Sequence, residues 1–367
     1  MTVMAQTDST VSPDGTASEG RRPRAVVLLS GGLDSTLAAK LLQEQGVEVI
    51  GVHFSTGFCV TDHKRATARG DENPKKLRNE ALRAGADLGV PVELIDISAE
   101  YLDIVFNPRH GYGANMNPCI DCRAFMLRKA KAIMEEKRAD FVATGEVLGQ
   151  RPMSQRRDTM RVVERDSGLQ GRLLRPLSAL SLEPTEAEKS GLIDRSKLLG
   201  LRGRGRRAQM DLIEAKGITD YPLPAGGCCF LTDANYARKF KDKMAHRAQD
   251  RMNWEDVTLL KLGRHFRVTP GLKFIVGRKE EENDFLERFA KTRVRLEAVE
   301  INGPVGLTDE SLPSPEEERL CASILARYTD SKGDNVVPVR AEGGGHGERL
   351  HDVTPLWDET VLGPMRL

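Results

Sequence analysis

The segment SGGLDS at residues 30–35 constrains the fold of this chain more than any other stretch. It follows an apolar run at 25–29 and precedes an amphipathic run at 36–42. This order predicts a strand, a tight glycine turn and a helix, with the turn at the carboxyl end of a parallel strand. Paired glycines let a ligand approach the backbone amides, and a helix that begins near Ser35 favours an anion. The pattern predicts a pyrophosphate site, although a well-capped strand-to-helix turn would also explain it.

The same string resembles the PP-loop of the ATP pyrophosphatases, and it is not a Walker A sequence. Enzymes with this loop cleave ATP to AMP and pyrophosphate while they adenylate a substrate. The resemblance implies that Asp34 helps to place Mg²⁺. It also implies that the phosphates of ATP are cradled by Ser30, Gly31, Gly32, Ser35 and Thr36.

Apolar and amphipathic runs alternate along the first part of the chain. We expect strands at 26–29, 47–53, 92–97 and 141–143, and helices at 35–45, 75–88 and 120–137. This alternation predicts an α/β fold with a doubly wound parallel sheet, whose ligand binds at the carboxyl ends of the strands. The basic segment 61–74 is expected to be a mobile loop.

A second motif, TGEVLGQ at 144–150, follows the fourth expected strand. It resembles the corresponding segment of the 4-thiouridine synthetases, which are PP-loop enzymes that put sulfur into tRNA. The later LRPL at 174–177 also resembles their pattern. The resemblance implies that Gly145, Glu146 and Gln150 face the PP-loop and bind the nucleotide, whereas a polar surface turn is the plain alternative. His53, at the end of the second strand, would line the adenine side or lie in the core.

Cys119 and Cys122 form a CxxC motif at the start of a helix. Thiols at a helix N-terminus are acidified, which suits nucleophilic, redox or metal-binding chemistry. The preceding Asn117-Pro118 resembles the element before a catalytic cysteine in bacterial 2-thiouridylases. The 2-thiouridylases usually have Asp at the position of Cys119. The iron–sulfur-dependent thiolases resemble this chain in having Cys there.

A further pair, Cys228 and Cys229, lies in the segment PAGGCCFLTD at 224–233. Two cysteines with a distant third resemble the ligand set of thiolation enzymes that hold a [4Fe–4S] cluster by three thiolates. The resemblance implies that Cys119, Cys122 and Cys228 are both catalytic residues and cluster ligands, with Cys229 as the alternative third ligand. Zinc, or a metal-free persulfide route, would use the same residues. Cys59 could lie near the mouth of the cleft but is expected to be structural, and Cys321 is expected to lie in a core.

Length and composition limit the number of domains and the class of protein that this chain can be. A chain of 367 residues predicts two or three domains, and a formal charge of +1 leaves any nucleic-acid surface local. No apolar stretch is long enough to span a membrane. Residues 1–22 are polar, which indicates a disordered tail rather than a signal peptide. Six cysteines without a signal favour the cytoplasm.

The remainder of the chain has two basic features. The run RGRGRR at 202–207 would contact tRNA phosphates or form a solvated turn. Beyond it we expect strands at 258–262, 264–269, 272–276 and 335–339, with helices at 282–290 and 316–328. This part weakly resembles the RNA-binding domain called NFACT-R. Candidate phosphate contacts there are His265, Arg267, Lys273, Arg278 and Lys279.

We therefore expect a disordered tail at 1–22, a PP-loop domain at 23–240, a smaller RNA-binding α+β domain at 250–345 and a C-terminal extension at 346–367.

The expected function is a cytoplasmic, ATP-dependent sulfurtransferase acting on RNA, in particular tRNA, with ATP, Mg²⁺ and a [4Fe–4S] cluster. The alternatives are a PP-loop ligase or amidotransferase that uses nitrogen, and a nucleotide-sensing RNA-binding protein without catalysis. The 4-thiouridine synthetases carry their RNA-binding module on the N-terminal side, so the target base stays open. The sulfur donor (sulfide or a cysteine desulfurase system) and the assembly, with a homodimer as one option, also stay open.

Overall fold

The computed structural model describes residues 21–67, 78–222, 229–246, 252–309, 312–333 and 335–367. Its first sheet has five parallel strands in the order β3-β2-β1-β4-β5. The strands are β1 (Arg24–Leu28), β2 (Glu48–Ser55), β3 (Val92–Asp96), β4 (Phe141–Thr144) and β5 (Leu173–Leu174). The four expected strands are confirmed with small shifts at their ends, and β5 ends at Leu174, the first residue of the LRPL motif.

Helices pack on both faces of this sheet. They are α1 (Leu33–Gln43), α2 (Val60–Thr67), α3 (Glu80–Leu88), α4 (Ser98–Phe106), α5 (Cys119–Glu136), α6 (Arg157–Ser167), α7 (Glu186–Lys189), α8 (Arg207–Ala215), α9 (Ala234–His246) and α10 (Trp254–Leu259). Along β1, Val26 faces one apolar core while Ala25 and Val27 face the other, as strand alternation requires. The doubly wound α/β fold is thus confirmed.

The second sheet has six antiparallel strands in the order β11-β10-β8-β9-β7-β6. They are β6 (Arg264–Thr269), β7 (Leu272–Val276), β8 (Val294–Ala298), β9 (Gly306–Thr308), β10 (Val337–Gly343) and β11 (His346–Val353). Three helices accompany them: α11 (Glu280–Glu287), α12 (Pro315–Ala326) and α13 (Glu359–Met365). The smaller C-terminal α+β domain is present.

Some expectations need correction. The predicted strand at 258–262 is wrong, because Asn253 and Asp256 form a capping box that starts α10 at Trp254. Residues 346–367 are no separate extension, since β11 pairs with β10 and Leu362 lies in the core of the second domain. The predicted loop at 61–74 is helical through Thr67, and its residues 68–74 lie outside the described part.

The junction between the two domains falls later than expected. Phe240, Met252 and Leu260 all belong to the core of the first domain, so that core extends well past residue 250. The second sheet starts directly afterwards, at Arg264. Lys261 therefore lies at the point where the two domains meet. Among the described helices, none combines the length and the apolar character needed to cross a membrane.

Candidate active site

The PP-loop joins the end of β1 to the start of α1. Gly31 has a φ of +74°, and a Cβ atom there would lie 2.1 Å from the carbonyl oxygen of Glu80, so only glycine fits. The Ser35 hydroxyl accepts a hydrogen bond from the Ser30 amide at 3.2 Å and donates one to the Gly32 carbonyl at 3.1 Å. These bonds fix the loop before any ligand binds.

Thr36, expected in the phosphate cradle, is completely buried. Its hydroxyl donates a 3.0 Å hydrogen bond to the Gly32 carbonyl, and Thr36 does not line the cleft beside the loop. The structure thus places it behind the loop, where it supports the turn from inside.

The TGEVLGQ motif lies against the PP-loop, because β4 pairs with β1 and both strands end at the same edge. A Cβ atom on Gly145 would lie 2.5 Å from the backbone of Asp34 and Ser35, so the two segments are in direct contact. Gln150 Nε2 donates a 2.7 Å hydrogen bond to Asp34 Oδ2, and Gln209 Nε2 donates one of 3.1 Å to Gln150 Oε1. The structure brings together the two motifs that the sequence singled out.

Only one of the two carboxyl oxygens of Asp34 accepts a hydrogen bond within the described residues. Its Oδ1 atom is buried and has no hydrogen-bond partner within the described residues. Burial raises the pKa of Asp34, while the bond from Gln150 and the charges of Arg206 and Arg151 oppose the rise. A buried acceptor oxygen at a phosphate loop suits Mg²⁺, which commonly binds one or two carboxylates together with substrate phosphates.

Glu146 is buried between two arginines. Arg123 Nε lies 3.2 Å from Glu146 Oε1, and Arg175 Nε lies 3.0 Å from Oε2. Burial alone would raise the pKa of Glu146, but the two guanidinium groups outweigh it and the net pKa is lowered. Glu146 therefore stays ionised and holds Arg123 at the cleft.

A cleft of about 320 Å³ opens between the two motifs. His53 lines it, with Nδ1 3.2 Å from the carbonyl oxygen of Leu29. Three cations that sequence reasoning did not assign to this site also line it: Arg123, Arg151 and Arg206. Arg206 belongs to the basic run at 202–207, for which we expected either contact with tRNA phosphates or a solvated turn.

Three cysteines converge on the buried ring of Tyr101. The hydroxyl of Tyr101 and the thiol of Cys122 share a hydrogen bond. Burial raises the pKa of Tyr101 well above its usual value, and the charges of Cys122, Cys229 and Cys119 raise it further. The CxxC motif and the 224–233 segment, more than a hundred residues apart in sequence, therefore meet at one place. Cys228 itself lies outside the described residues.

The described cysteines do not form a metal centre by themselves. Within the described residues, no three His, Cys, Asp or Glu side chains are placed to hold a metal ion. Of the expected ligands, only Cys119 and Cys122 can be located. Cys321, in contrast, is completely buried in the second domain, as expected for a core residue.

The C-terminal domain contains a polar cleft of about 550 Å³. It is lined on one side by Arg278 and Lys279, which are both exposed, and on another by Arg264, whose guanidinium lies 4.6 Å from the centre of the Tyr328 ring. Three other expected contacts are wrong, because their side chains are internal. His265 and Lys273 are buried, and Arg267 pairs with Asp242 at 2.6 Å.

Comparison with known families supports both halves of this description. Residues 23–166 match the family described as tRNA methyl transferase HUP domain, and residues 263–363 match the NFACT protein RNA binding domain. The resemblance of the C-terminal part to the NFACT-R domain is thereby confirmed, and the first match agrees with the resemblance to PP-loop enzymes that act on tRNA.

Among curated proteins, the chain is similar to the tRNA-specific 2-thiouridylase MnmA of Flavobacterium johnsoniae, with 38% identity over 128 residues. That match covers 33% of this chain and 31% of the relative. The enzyme of the same name from Thiobacillus denitrificans is 35% identical over 132 residues, covering 34% of this chain and 35% of the relative. The chain thus spans about a third of the length of these relatives.

Two solved structures show a distant likeness. A 4-thiouridine synthetase in complex with RNA and ATP is 21% identical with a TM-score of 0.31, covering 55% of this chain and 54% of that chain. The C-terminal part of the fibronectin/fibrinogen-binding protein of Streptococcus suis is 14% identical with a TM-score of 0.26, covering 73% of this chain and 94% of that chain. These likenesses are too distant to support an argument about function.

Proposed function

We propose that this chain is a cytoplasmic, ATP-dependent sulfurtransferase that acts on tRNA. In this reaction a nucleobase carbonyl oxygen attacks the α-phosphorus of ATP, and pyrophosphate leaves. A sulfur nucleophile then attacks the activated carbon, and AMP leaves with the former carbonyl oxygen. The matches to tRNA-related families and to 2-thiouridylases support the tRNA substrate class.

One observation carries the proposal. Cys122 and Arg123 are consecutive residues at the start of α5, and they serve two different places. Arg123 lines the PP-loop cleft and pairs with Glu146, whereas Cys122 bonds to Tyr101 beside Cys229. One helix start therefore connects a nucleotide cleft with a group of thiols, which is what an enzyme that activates with ATP and substitutes with sulfur requires.

In the nucleotide half of the reaction, the chain supplies a preorganised anion site. The amides of the PP-loop face the pyrophosphate, and Asp34 Oδ1 is the atom we assign to Mg²⁺. Arg123, Arg151 and Arg206 surround the same cleft. Fixed positive groups stabilise the charge that develops on a leaving group without reorganising during the reaction. Bound Mg²⁺ would neutralise further phosphate charge.

In the sulfur half, we propose that Cys119, Cys122 and Cys228 handle sulfur, with Cys229 as the alternative to Cys228. The described residues do not complete the three-thiolate set that a [4Fe–4S] cluster needs, so we derive no step through a cluster. A persulfide on Cys228 or Cys229 would require no metal.

The C-terminal domain would hold the RNA. Its polar cleft offers exposed cations for the phosphate backbone and an arginine–tyrosine pair against which a base can stack. Tight association with the backbone would be independent of sequence, and the base would be selected at the PP-loop cleft.

The testing experiment measures two products from one reaction. Anaerobically purified protein is incubated with ATP, Mg²⁺, bulk tRNA and either sulfide or inorganic polysulfide as the sulfur donor, and both pyrophosphate and thiolated nucleosides are quantified. Wild type should release pyrophosphate and form thionucleosides; Cys119→Ser and Cys122→Ser should lose the thionucleosides, and Cys321→Ser should match wild type. Iron, sulfide and zinc are measured in the same preparation, where about four irons per chain would indicate a cluster.

The two alternatives give different results. A ligase or amidotransferase that uses nitrogen would release pyrophosphate with all the cysteine variants and form no thionucleoside. A nucleotide-sensing RNA-binding protein would release no pyrophosphate with any RNA. Either result would overturn the proposed function.

A further inference from the structure

Cys59 and Cys229 stand opposite each other in a short antiparallel pairing. The amide of Phe230 donates a 3.0 Å hydrogen bond to the carbonyl of Phe58, so the bond flanks the cysteine pair instead of joining it. Residues opposed in this way have Cα atoms about 4.5 Å apart and side chains on the same face. That spacing lies within the range of roughly 4.4–6.8 Å that a disulfide bond requires.

The pair lies beside the start of a helix and close to a lysine. Cys59 is the residue before α2, and its carbonyl accepts the first hydrogen bond of that helix, from the amide of His63 at 3.2 Å. Lys261 lies close enough to both cysteines to interact with them electrostatically.

Lys261 is fixed in place by contacts with the first domain. Its Nζ donates a 2.6 Å hydrogen bond to the carbonyl of Gly57 and lies over the rings of Phe230 and Trp254, at 5.7 and 5.3 Å. The Trp254 ring packs so closely on Gly57 that a Cβ atom there would lie 1.8 Å from it. The segment that leads into the C-terminal domain therefore completes the environment of the two thiols.

We propose that Cys59 is the resolving thiol of Cys229, meaning the thiol that frees sulfur carried on Cys229. This inference rests on the proposed sulfur-transfer function. Nothing in the sequence motifs assigned Cys59 to the site, and we expected it to be structural.

The step is balanced in atoms and electrons. A persulfide or polysulfide donor first transfers a sulfane sulfur to Cys229: a bond forms between Cys229 Sγ and that sulfur, the S–S bond of the donor breaks, and the rest of the donor leaves as a thiolate or a shorter polysulfide. The Cys59 thiolate attacks Cys229 Sγ, a bond forms between the two Sγ atoms, and the bond from Cys229 Sγ to the terminal sulfur breaks. Hydrosulfide leaves with the electron pair and takes the proton that Cys59 lost. The two cysteines are oxidised to a disulfide as the terminal sulfur is reduced, and a cellular dithiol restores the thiols by exchange.

The test uses the full chain without ATP or RNA. Reduced protein is treated with inorganic polysulfide, quenched with an alkylating agent and mapped by mass spectrometry without reduction, while released hydrosulfide is measured. Wild type should form a Cys59–Cys229 disulfide. Cys59→Ser should retain the persulfide on Cys229 and release hydrosulfide roughly tenfold more slowly, because the opposed nucleophile is gone. Cys321→Ser, a buried cysteine in the other domain, is the matched control.

The outcomes separate this inference from the proposed function. A disulfide between Cys122 and Cys229, a wild-type protein that keeps its persulfide, or a Cys59→Ser variant with unchanged release would each overturn the resolving role. The disulfide map of the wild-type protein tests the resolving role of Cys59 even if the Cys59→Ser variant folds poorly. A Cys59–Cys229 disulfide in a protein that makes no thionucleoside would refute only the sulfurtransferase function, whereas full tRNA thiolation by Cys59→Ser would refute only the role of Cys59.

Discussion

Gln150 Nε2 lies 2.7 Å from Asp34 Oδ2, although the two residues are 116 positions apart in sequence. The bond leaves Asp34 Oδ1 as the unsatisfied oxygen in the nucleotide cleft. Gln150 is in turn oriented by Gln209. This chain of amides fixes one oxygen of the Asp34 carboxyl group, and the other oxygen has no hydrogen-bond partner among the described residues.

The first prediction concerns the pH dependence that this chain of amides produces. Burial raises the pKa of Asp34, and the bond from Gln150 lowers it, so Gln150→Leu should raise the pKa further. The carboxylate is then protonated at a higher pH, and the acid limb of pyrophosphate release should move to higher pH. Gln209→Leu should shift it less in the same direction. Asp34→Asn should reduce the rate by roughly 10²–10³-fold at every pH, as loss of a preorganised electrostatic group does. Identical acid limbs in wild type and Gln150→Leu would contradict this account.

The second prediction concerns Gly145, where the two motifs touch. Gly145→Ala places a methyl group 2.5 Å from the backbone of Asp34 and Ser35, and backbone on a packed loop cannot easily move. We expect a loss of about 1–3 kcal/mol in the free energy of unfolding, from overpacking, and a larger loss of ATP affinity. Calorimetry of ATP binding and thermal unfolding measure the two effects. Gly205→Ala is the control, because nothing lies within 4 Å of a Cβ atom there. Unchanged ATP affinity in Gly145→Ala would separate the motif from nucleotide binding.

Sequence patterns predicted the parallel sheet and its two motifs because these depend on local signals. Apolar runs followed by glycine turns are short-range features, and β1 and β4 each end where the motif begins. That the two motifs face each other followed from topology, since the ends of neighbouring parallel strands meet at one edge.

The errors came from long-range packing that a single sequence does not reveal. His265 and Lys273 are basic residues on strands, and only the docking of α9 shows that their side chains are internal. Arg206 belongs to a basic run, but α8 starts there and packs on α1, which turns the side chain toward the cleft. Cys59 meets Cys229 only because the chain returns after residue 228.

The third prediction separates two roles within the basic run. Arg206 lines the nucleotide cleft and acts on Asp34, whereas Arg204 is exposed and does not line it. Arg206→Gln should raise the KM for ATP roughly tenfold, since it removes one charge that is in place for phosphate. Arg204→Gln should leave the KM for ATP unchanged. Initial rates of pyrophosphate release against ATP concentration distinguish them. Equal effects of the two substitutions would mean that the run acts only as a diffuse positive surface.

The fourth prediction concerns RNA binding by the C-terminal cleft. Lys279 is exposed at its rim, and Arg264 lies over the Tyr328 ring inside it. If Lys279 contacts a phosphate, Lys279→Ala should weaken tRNA binding and reduce the slope of log K against log salt by about 1, because one fewer counterion is released. If Tyr328 stacks on a base, Tyr328→Ala should weaken binding by about 1–3 kcal/mol with an unchanged salt slope, because stacking releases no counterion.

The measurement is tRNA binding over a series of salt concentrations, with Lys332→Ala as the control. Lys332 is exposed on the same domain, outside the cleft. A change of slope in Lys332→Ala as large as that in Lys279→Ala would mean that the whole domain surface attracts RNA and that the cleft has no special role. A change of slope in Tyr328→Ala would mean that this residue acts by holding Arg264 against phosphate, because only the loss of a cationic contact alters counterion release.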